Sequence, residues 1–367
     1  MEKVLIARAP VRINFGGGGT DLPSYYERHG GLTINATISY YVYTILTSNQ
    51  LDDVQVIYTD HQPRFRPSDR QDLFWNKDLG LPKAIAHHFC IRNGLTIFLA
   101  SQVPPGTGLG LSGSVAVSMI KAIAFGSGLD LGPEQVAELA SFIEIDKMKM
   151  PVGKQDQYAA AFGGLNSIVF AKDRVIVEPL NLLPETLAAL EANLMLFFSG
   201  LSSSSSTILQ RQREASERGD PDLLRRLAGL KELAAKMRVA LEGSDLDLFG
   251  DLLHRSWMEK RQLVQGISTP ALDRCYQVAR EKGALGGKVT GAGGGGCLLL
   301  YCPREHQDTV ATAMAGLGLE RWPFTLEEDG VQIMQLLPWS RQQVMSTVPW
   351  AQQPVSSSPS FVASNTM

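Results

Sequence analysis

Cysteine is scarce in this chain: four in 367 residues, at Cys90, Cys275, Cys297 and Cys302. Their irregular spacing holds no CxxC pair, which excludes a disulfide scaffold and leaves buried free thiols in a reducing compartment as the expectation. The six histidines form no HExxH pattern, and adjacent His87 and His88 on an expected helix read as structural. Charge of one sign is also lacking. The net value of −3 gives no basic surface for nucleic acid or an anionic membrane. No uninterrupted apolar run is long enough to span a bilayer, and Met1–Arg8 lacks the apolar stretch of a signal peptide, so a cytoplasmic chain is expected. No internal repeat of solenoid length is present. What remains is ordinary globular composition, 44% hydrophobic and 19% charged, in a chain too long for one ordinary core.

Val4–Ala9 reads as a strand, Leu32–Thr47 as one or two more and Val54–Tyr58 as another, rich in β-branched and aromatic residues. Asp60–Asp78 is polar and reads as a loop. Leu81–Arg92 has helical spacing, and Leu95–Ser101 reads as a buried strand. Helices are expected over Ser114–Phe125 and from Pro133, with Val136, Leu139, Ala140 and Ile143 on one face. Strands return at Leu165–Phe170, Val175–Glu178 and Leu194–Phe198. Ser204–Gly266 is mostly helical, broken at Gly219-Asp220-Pro221 and Gly243. Pro270–Lys282 and His306–Ala315 read as further helices, and Cys297–Cys302 and Val331–Leu336 as strands. The shift from strand-rich to helix-rich sequence places a boundary near Pro184. Trp350–Met367 has Pro, Ser and Gln but no charged side chain, as a disordered tail would.

Glycine is what the chain has in quantity, 35 residues, and it clusters at Gly16–Gly19, Gly106–Gly113 and Gly291–Gly296. Each cluster adjoins a strand-like run and polar residues. Backbone N–H groups freed of side chains can approach a ligand closely, so three such clusters suggest a phosphate-bearing ligand held from several sides. Pro104–Ser114 lies between a strand and a helix and can form an anion site from its amides and the helix N-terminus. No Gly-Lys-Ser/Thr follows, which excludes a Walker loop. Gly108, Gly110 and Gly113 spell a GxGxxG, but a dinucleotide site needs an acid ending a second strand. Asp130 and Glu134 lie at the right distance between two helical stretches instead.

Arg8–Phe15 before the first cluster, the Pro104–Ser114 loop and Lys288–Gly296 resemble, in order and spacing, the three motifs of the GHMP small-molecule kinases. The resemblance extends to about Leu337. Gly17–Asp21 with Asn35–Ile38, Gly153–Tyr158 and Gly283–Lys288 resemble the heptose 7-phosphate kinase branch. The implied architecture is α+β, a ribosomal-protein-S5-domain-2-like N-terminal domain (1–184) followed by a ferredoxin-like domain (185–345) and the tail 346–367. The implied reaction moves the γ-phosphoryl of ATP, with Mg²⁺, onto a sugar hydroxyl, a transfer that demands positioning and charge neutralisation. On this resemblance the ATP phosphates lie on Pro104, Gly106, Thr107, Gly108, Leu109, Gly110, Leu111, Ser112, Gly113 and Ser114. Ser112 and Glu144 match the magnesium positions, although Glu144 alone would read as a solvated residue. Asp156 matches the catalytic carboxylate, and by sequence alone reads equally as a helix N-cap. Arg12 matches the basic residue of the first motif, which offsets charge on the transferring group; a surface salt bridge is its plainer reading.

The sugar side is expected at Arg12, Gly17, Gly18, Gly19, Thr20, Asp21, Lys154 and Asp156. Asp21 matches the aspartate that takes sugar hydroxyls in galactokinase-like members. Gly18-Gly19 replaces their Glu-His and implies a roomier pocket. Lys154 is either a partner for a second substrate phosphate or a solvated lysine. Leu111 stands where the family carries a serine, so Ser114 rather than Ser112 could face the metal. Ser203, in the run Ser202–Ser206, stands where the heptose branch carries an arginine, which opens the alternative of an unphosphorylated hexose. A catalytically silent sugar sensor is a further alternative, disfavoured by intact Arg12, Glu144 and Asp156. The third cluster reads equally as a brace or a ligand contact. Monomer and homodimer are both open.

Overall fold

The computed structural model describes residues 4–49, 53–58, 64–65, 80–91, 94–200 and 205–335. Expectations for most of Asp60–Asp78, for Ser203 and for the tail 346–367 lie outside the described residues. Strand β1 runs from Val4 to Gly16, well past Ala9, because its second half is buried on both faces and loses the alternation that marks a strand. It thus carries Arg12 and Asn14 and ends in the first glycine cluster. Helix α1 (Pro23–His29) opens on proline, and β2 (Gly31–Ser48) is a single long strand. The β1–β2 ladder breaks register between Pro10 and Val11, where proline offers no N–H. Then come β3 (Val54–Tyr58), β4 (Arg64–Phe65), α2 (Gly80–His88), β5 (Leu95–Ser101) and α3 (Leu111–Gly126). Helix α4 (Pro133–Ser141) runs into a π-helical turn, Phe142–Lys147, before α5 (Gln155–Phe162), β6 (Leu165–Phe170) and β7 (Val175–Pro179).

The second half holds α6 (Pro184–Asn193), β8 (Leu194–Phe198), α7 (Ser205–Glu217), α8 (Pro221–Glu242) and α9 (Leu246–Lys260). Asp220 and Asp245 cap α8 and α9 by accepting from their first-turn amides, which explains the breaks near Gly219 and Gly243. It continues with α10 (Pro270–Glu281), β9 (Gly286–Val289), β10 (Cys297–Tyr301), α11 (Arg304–Gly316), β11 (Glu320–Trp322), β12 (Leu326–Glu327) and β13 (Gln332–Gln335).

Among the described residues nine strands share one sheet, along the path β13-β1-β2-β5-β3-β4, with β6 and β12 also on β2 and β7 on β6. The other sheet, β11-β8-β10-β9, is antiparallel throughout. This is the expected α+β class. The expected division at 184/185 falls at the first turn of α6, but it misplaces the chain's return. β13 pairs with β1 from Leu5↔Gln335 to Arg8↔Gln332, and β12 pairs with β2. Residues 326–335 therefore complete the N-terminal sheet, and nothing local in two short half-buried strands signals so distant a partner. A central core joins both halves, packing Val11, Ile13 and Phe15 of β1 with Met237 of α8, Phe249 of α9 and Leu299 of β10.

Candidate active site

The Pro104–Ser114 loop leaves β5 and enters α3. Gly106, Gly108 and Gly110 alternate through the left-handed region, at φ 80°, 75° and 80°. The loop's carbonyls turn into the protein. Thr107 O accepts from Cys297 N–H (3.0 Å) and the Thr290 hydroxyl (2.7 Å), Gly108 O from Arg12 Nη1 (2.6 Å) and Leu109 O from Arg12 N–H (2.9 Å). In a planar trans peptide the following N–H points the opposite way. The amides of Gly108, Leu109 and Gly110 thus face away from these partners and form an anion nest without a basic residue. Asp130 lies between α3 and α4 and Glu134 in the first turn of α4, with no strand to carry either, so the dinucleotide reading falls away. The third glycine cluster braces this loop: a Cβ on Gly291 would lie 2.5 Å from Gly108 Cα.

Asp156 occupies the first turn of α5, whose N-cap is Lys154, so it is not the N-cap. Its Oδ1 accepts from Arg12 Nε at 2.8 Å and Arg12 Nη2 at 2.6 Å. Both donors meet one oxygen, which leaves Oδ2 for a partner from the cleft. Arg12 is buried and Asp156 remains 26% exposed. Asp21 Oδ1 accepts from Gly19 N–H at 2.9 Å, and its Oδ2 from Gln155 N–H at 3.4 Å. Burial, and then the charge of Asp156, push its carboxyl above the ordinary range against these backbone donors.

The π-helical turn holds Glu144 fully buried, a local widening that often serves a site. Gln157 donates to Glu144 Oε2 at 2.5 Å, while Oε1 is buried without a partner. Burial pushes this carboxyl up to about 7, with hydrogen bonds from Gln157 and Ser112 opposing. A buried carboxylate with an unpartnered oxygen beside a hydroxyl fits a hard cation. Arg12, Asp21, Asp156, the loop glycines Gly106, Gly108 and Gly110, and Ser112 line a cleft of about 480 Å³; Glu144 lies behind Ser112, buried outside that lining.

Residues 80–164 match the family described as GHMP kinases N terminal domain, and 237–318 that described as GHMP kinases C terminal. D-glycero-alpha-D-manno-heptose 7-phosphate kinase of Campylobacter jejuni is 32% identical over 339 residues, 90% of this chain and 98% of that protein. The chain belongs to the GHMP kinase family. Among solved structures, a D-glycero-D-manno-heptose 1-phosphate kinase from Bacteriodes thetaiotaomicron is similar at TM-score 0.72 and 26% identity, over 91% of this chain and 100% of that one. Lactococcus lactis galactokinase in complex with galactose shares the fold, at TM-score 0.71 and 18% identity over 91% and 95% of the two chains.

Of the site expected for a GHMP kinase, the cleft gathers Arg12, Gly18, Gly19, Asp21, Gly106, Thr107, Gly108, Gly110, Leu111, Ser112 and Asp156. Other expected residues stand elsewhere. Lys154 Nζ binds both carboxylate oxygens of Glu138, at 3.0 and 2.9 Å, so it is neither a free phosphate partner nor a simply solvated lysine. The Ser114 hydroxyl is buried on Pro10 O at 2.8 Å, which leaves Ser112 as the hydroxyl beside Glu144. Thr20 and Gly17 build the loop, with the Thr20 hydroxyl donating to Gly17 O at 2.7 Å. Leu109 is core, Pro104 lies exposed outside the cleft, and Gly113 packs on Asp156 rather than facing a ligand.

Sequence reasoning missed Gln212 and Lys260, which line the cleft of this kinase from α7 and α9. Gln212 donates to Gly19 O at 3.3 Å, and Lys260 Nζ donates to Gly291 O at 2.5 Å. A lysine closing an amphipathic helix is commonplace, so Lys260 carried no signal. Lys288, noted only within a motif, is buried and donates to Asn14 Oδ1 at 2.5 Å, and Asn14 in turn donates to Gln155 Oε1 at 2.9 Å.

Proposed function

We propose that this kinase transfers the γ-phosphoryl of ATP to the anomeric hydroxyl of a heptose 7-phosphate, giving a 1,7-bisphosphate suited to nucleotide-sugar synthesis. The observation that carries the reading is the placement of two carboxylates, Asp21 and Asp156, on one cleft with the nucleotide nest. Asp21 accepts from vicinal hydroxyls of the sugar, while the space beside Gly18-Gly19 is partly taken by Asn14 and Gln212. The name of the Campylobacter relative supports the acceptor class.

Asp156, with Oδ1 fixed by Arg12, takes the acceptor's proton at Oδ2. The acceptor oxygen–phosphorus bond forms as the bond from the γ-phosphorus to the β,γ-bridging oxygen breaks, leaving ADP and the sugar phosphate. Ser112 and Glu144 would hold Mg²⁺, which when bound neutralises charge on the nucleotide phosphates. One observation favours the unphosphorylated hexose as second reading: Lys154, a candidate partner for a sugar phosphate, is bound to Glu138.

The test is ADP release over a panel of sugars and sugar phosphates, wild type beside Asp156→Asn. Turnover is expected with heptose 7-phosphate and is expected to fall by roughly 10²–10⁴-fold in D156N. Turnover of unphosphorylated sugars alone would refute the heptose phosphate, and equal rates for the two proteins would refute the role of Asp156.

A further inference from the structure

Among the described residues, the cationic side chains lining the cleft are Arg12 and Lys260. Arg12 gives three of its five N–H donors, Nε and Nη2 to Asp156 and Nη1 to Gly108 O, and its charge is paired with the Asp156 carboxylate. The Lys260 ammonium has three donors and gives one, to Gly291 O. Its position is at a seam. A Cβ on Gly18, in the acceptor loop, would lie 3.7 Å from Lys260 Nζ, while Gly291 packs directly on Gly108 of the nucleotide nest. The charged groups facing it are Arg12 on β1, Asp21 before α1, Asp156 on α5 and Lys288 on β9. Burial, and then Arg12, lower its pKa to about 8 against the pull of Asp21 and Asp156. A buried ammonium in that state is a cation at neutral pH and gains from an arriving anion.

We propose that Lys260 is a catalytic residue whose ammonium binds a non-bridging oxygen of the γ-phosphoryl group as it passes to the acceptor. The assignment rests on the phosphoryl transfer described above. It divides the work between the two cations: Arg12 positions Asp156, and Lys260 meets the charge on the transferring group. That group carries negative charge on its equatorial oxygens through the transition state, where a preorganised donor in a buried site is most effective. Lys260 reaches it from the C-terminal half of the chain, so the half that supplies α9 takes part in the chemistry and does not only enclose it.

The experiment compares Lys260→Met, Lys260→Gln and Lys260→Arg with wild type. It measures ADP release and, separately, the binding of ADP and of the imido-bridged, non-hydrolysable ATP analogue. The neutral variants are expected to lower kcat about 100-fold with acceptor KM little changed. Their affinity for the analogue should drop about tenfold, as loss of one charge-assisted hydrogen bond implies, while ADP affinity stays put. K260R should recover much of the lost kcat. In wild type kcat should fall as pH rises through about 8, because the cation is lost there, and K260R should lack that limb. Wild-type turnover in K260M and K260Q would overturn the proposal. So would equal weakening of ADP and the analogue, the signature of a lysine that only props Gly291. If one neutral variant fails to fold, the other and K260R carry the same comparison. If wild type turns over no sugar, the acceptor reading fails, and the gap between ADP and the analogue still decides the role of Lys260.

Discussion

Gly113 works through the atom it lacks. A Cβ there would lie 2.8 Å from Asp156 Cβ and 3.0 Å from Gln157 N, so the first turn of α5 sits against the first turn of α3. Gly113→Ala must push Asp156 and Gln157 away, and with them the partners of Arg12 and Glu144. Misplacement of a reacting group by an ångström can cost about 100-fold. The expected outcome in steady-state assays is a fall in kcat of that order with folding and ADP affinity retained. At this scale the sequence is legible where chemistry and motif coincide, as at Arg12, Asp21 and Asp156. It leaves Lys154 open between two roles and finds neither, since a nearby position in sequence says nothing of Glu138, the partner that takes the charge. It is silent at Lys260 and Gln212, because helix-borne polar residues declare their direction only once helices are docked.

At the scale of elements, α5 is held at both ends. Its start meets α3 and Arg12, and its end meets the returning chain, where a Cβ on Gly330 would lie 2.1 Å from Ala161 O. Gly330→Ala overpacks that joint and should cost roughly 1–3 kcal/mol, read by urea unfolding, with kcat more affected than ADP binding because α5 carries Asp156. The strands β2, β5, β6 and β8 and the capped helices α8 and α9 were readable from periodicity and turn residues. The inner half of β1 was not, since burial on both faces erases alternation. The π-helical turn was not, since its register differs from the helix that precedes it. The short strands β9, β11 and β12 have too few residues to show a period at all.

For the whole molecule, the central core decides how it unfolds. Phe15 of β1 meets Phe249 of α9 edge to face at 5.3 Å, and Phe249 meets Tyr301 of β10 at 5.5 Å. Removing the second half would leave Val11, Ile13, Phe15 and Ile34 facing water, at about 1.5–3 kcal/mol for each large apolar side chain exposed. The expected result is one unfolding transition for the whole chain in calorimetry, and no cooperative transition for a fragment of residues 1–184. Two separate transitions, or a folded fragment, would show that the halves are independent.

The pairing of β13 with β1 has a further consequence for synthesis. As the chain leaves the ribosome, β1 emerges first and can pair with β2 early, but its other edge stays open until residues 332–335 have been made. An open edge is a template for pairing with another chain, so nascent chains of this kinase are exposed to misassembly until that segment arrives. The same late segment seats Gly330 against the end of α5. The helix that carries Asp156 is thus locked among the last, and a polypeptide stalled short of residue 330 would hold the catalytic motifs without a settled active site.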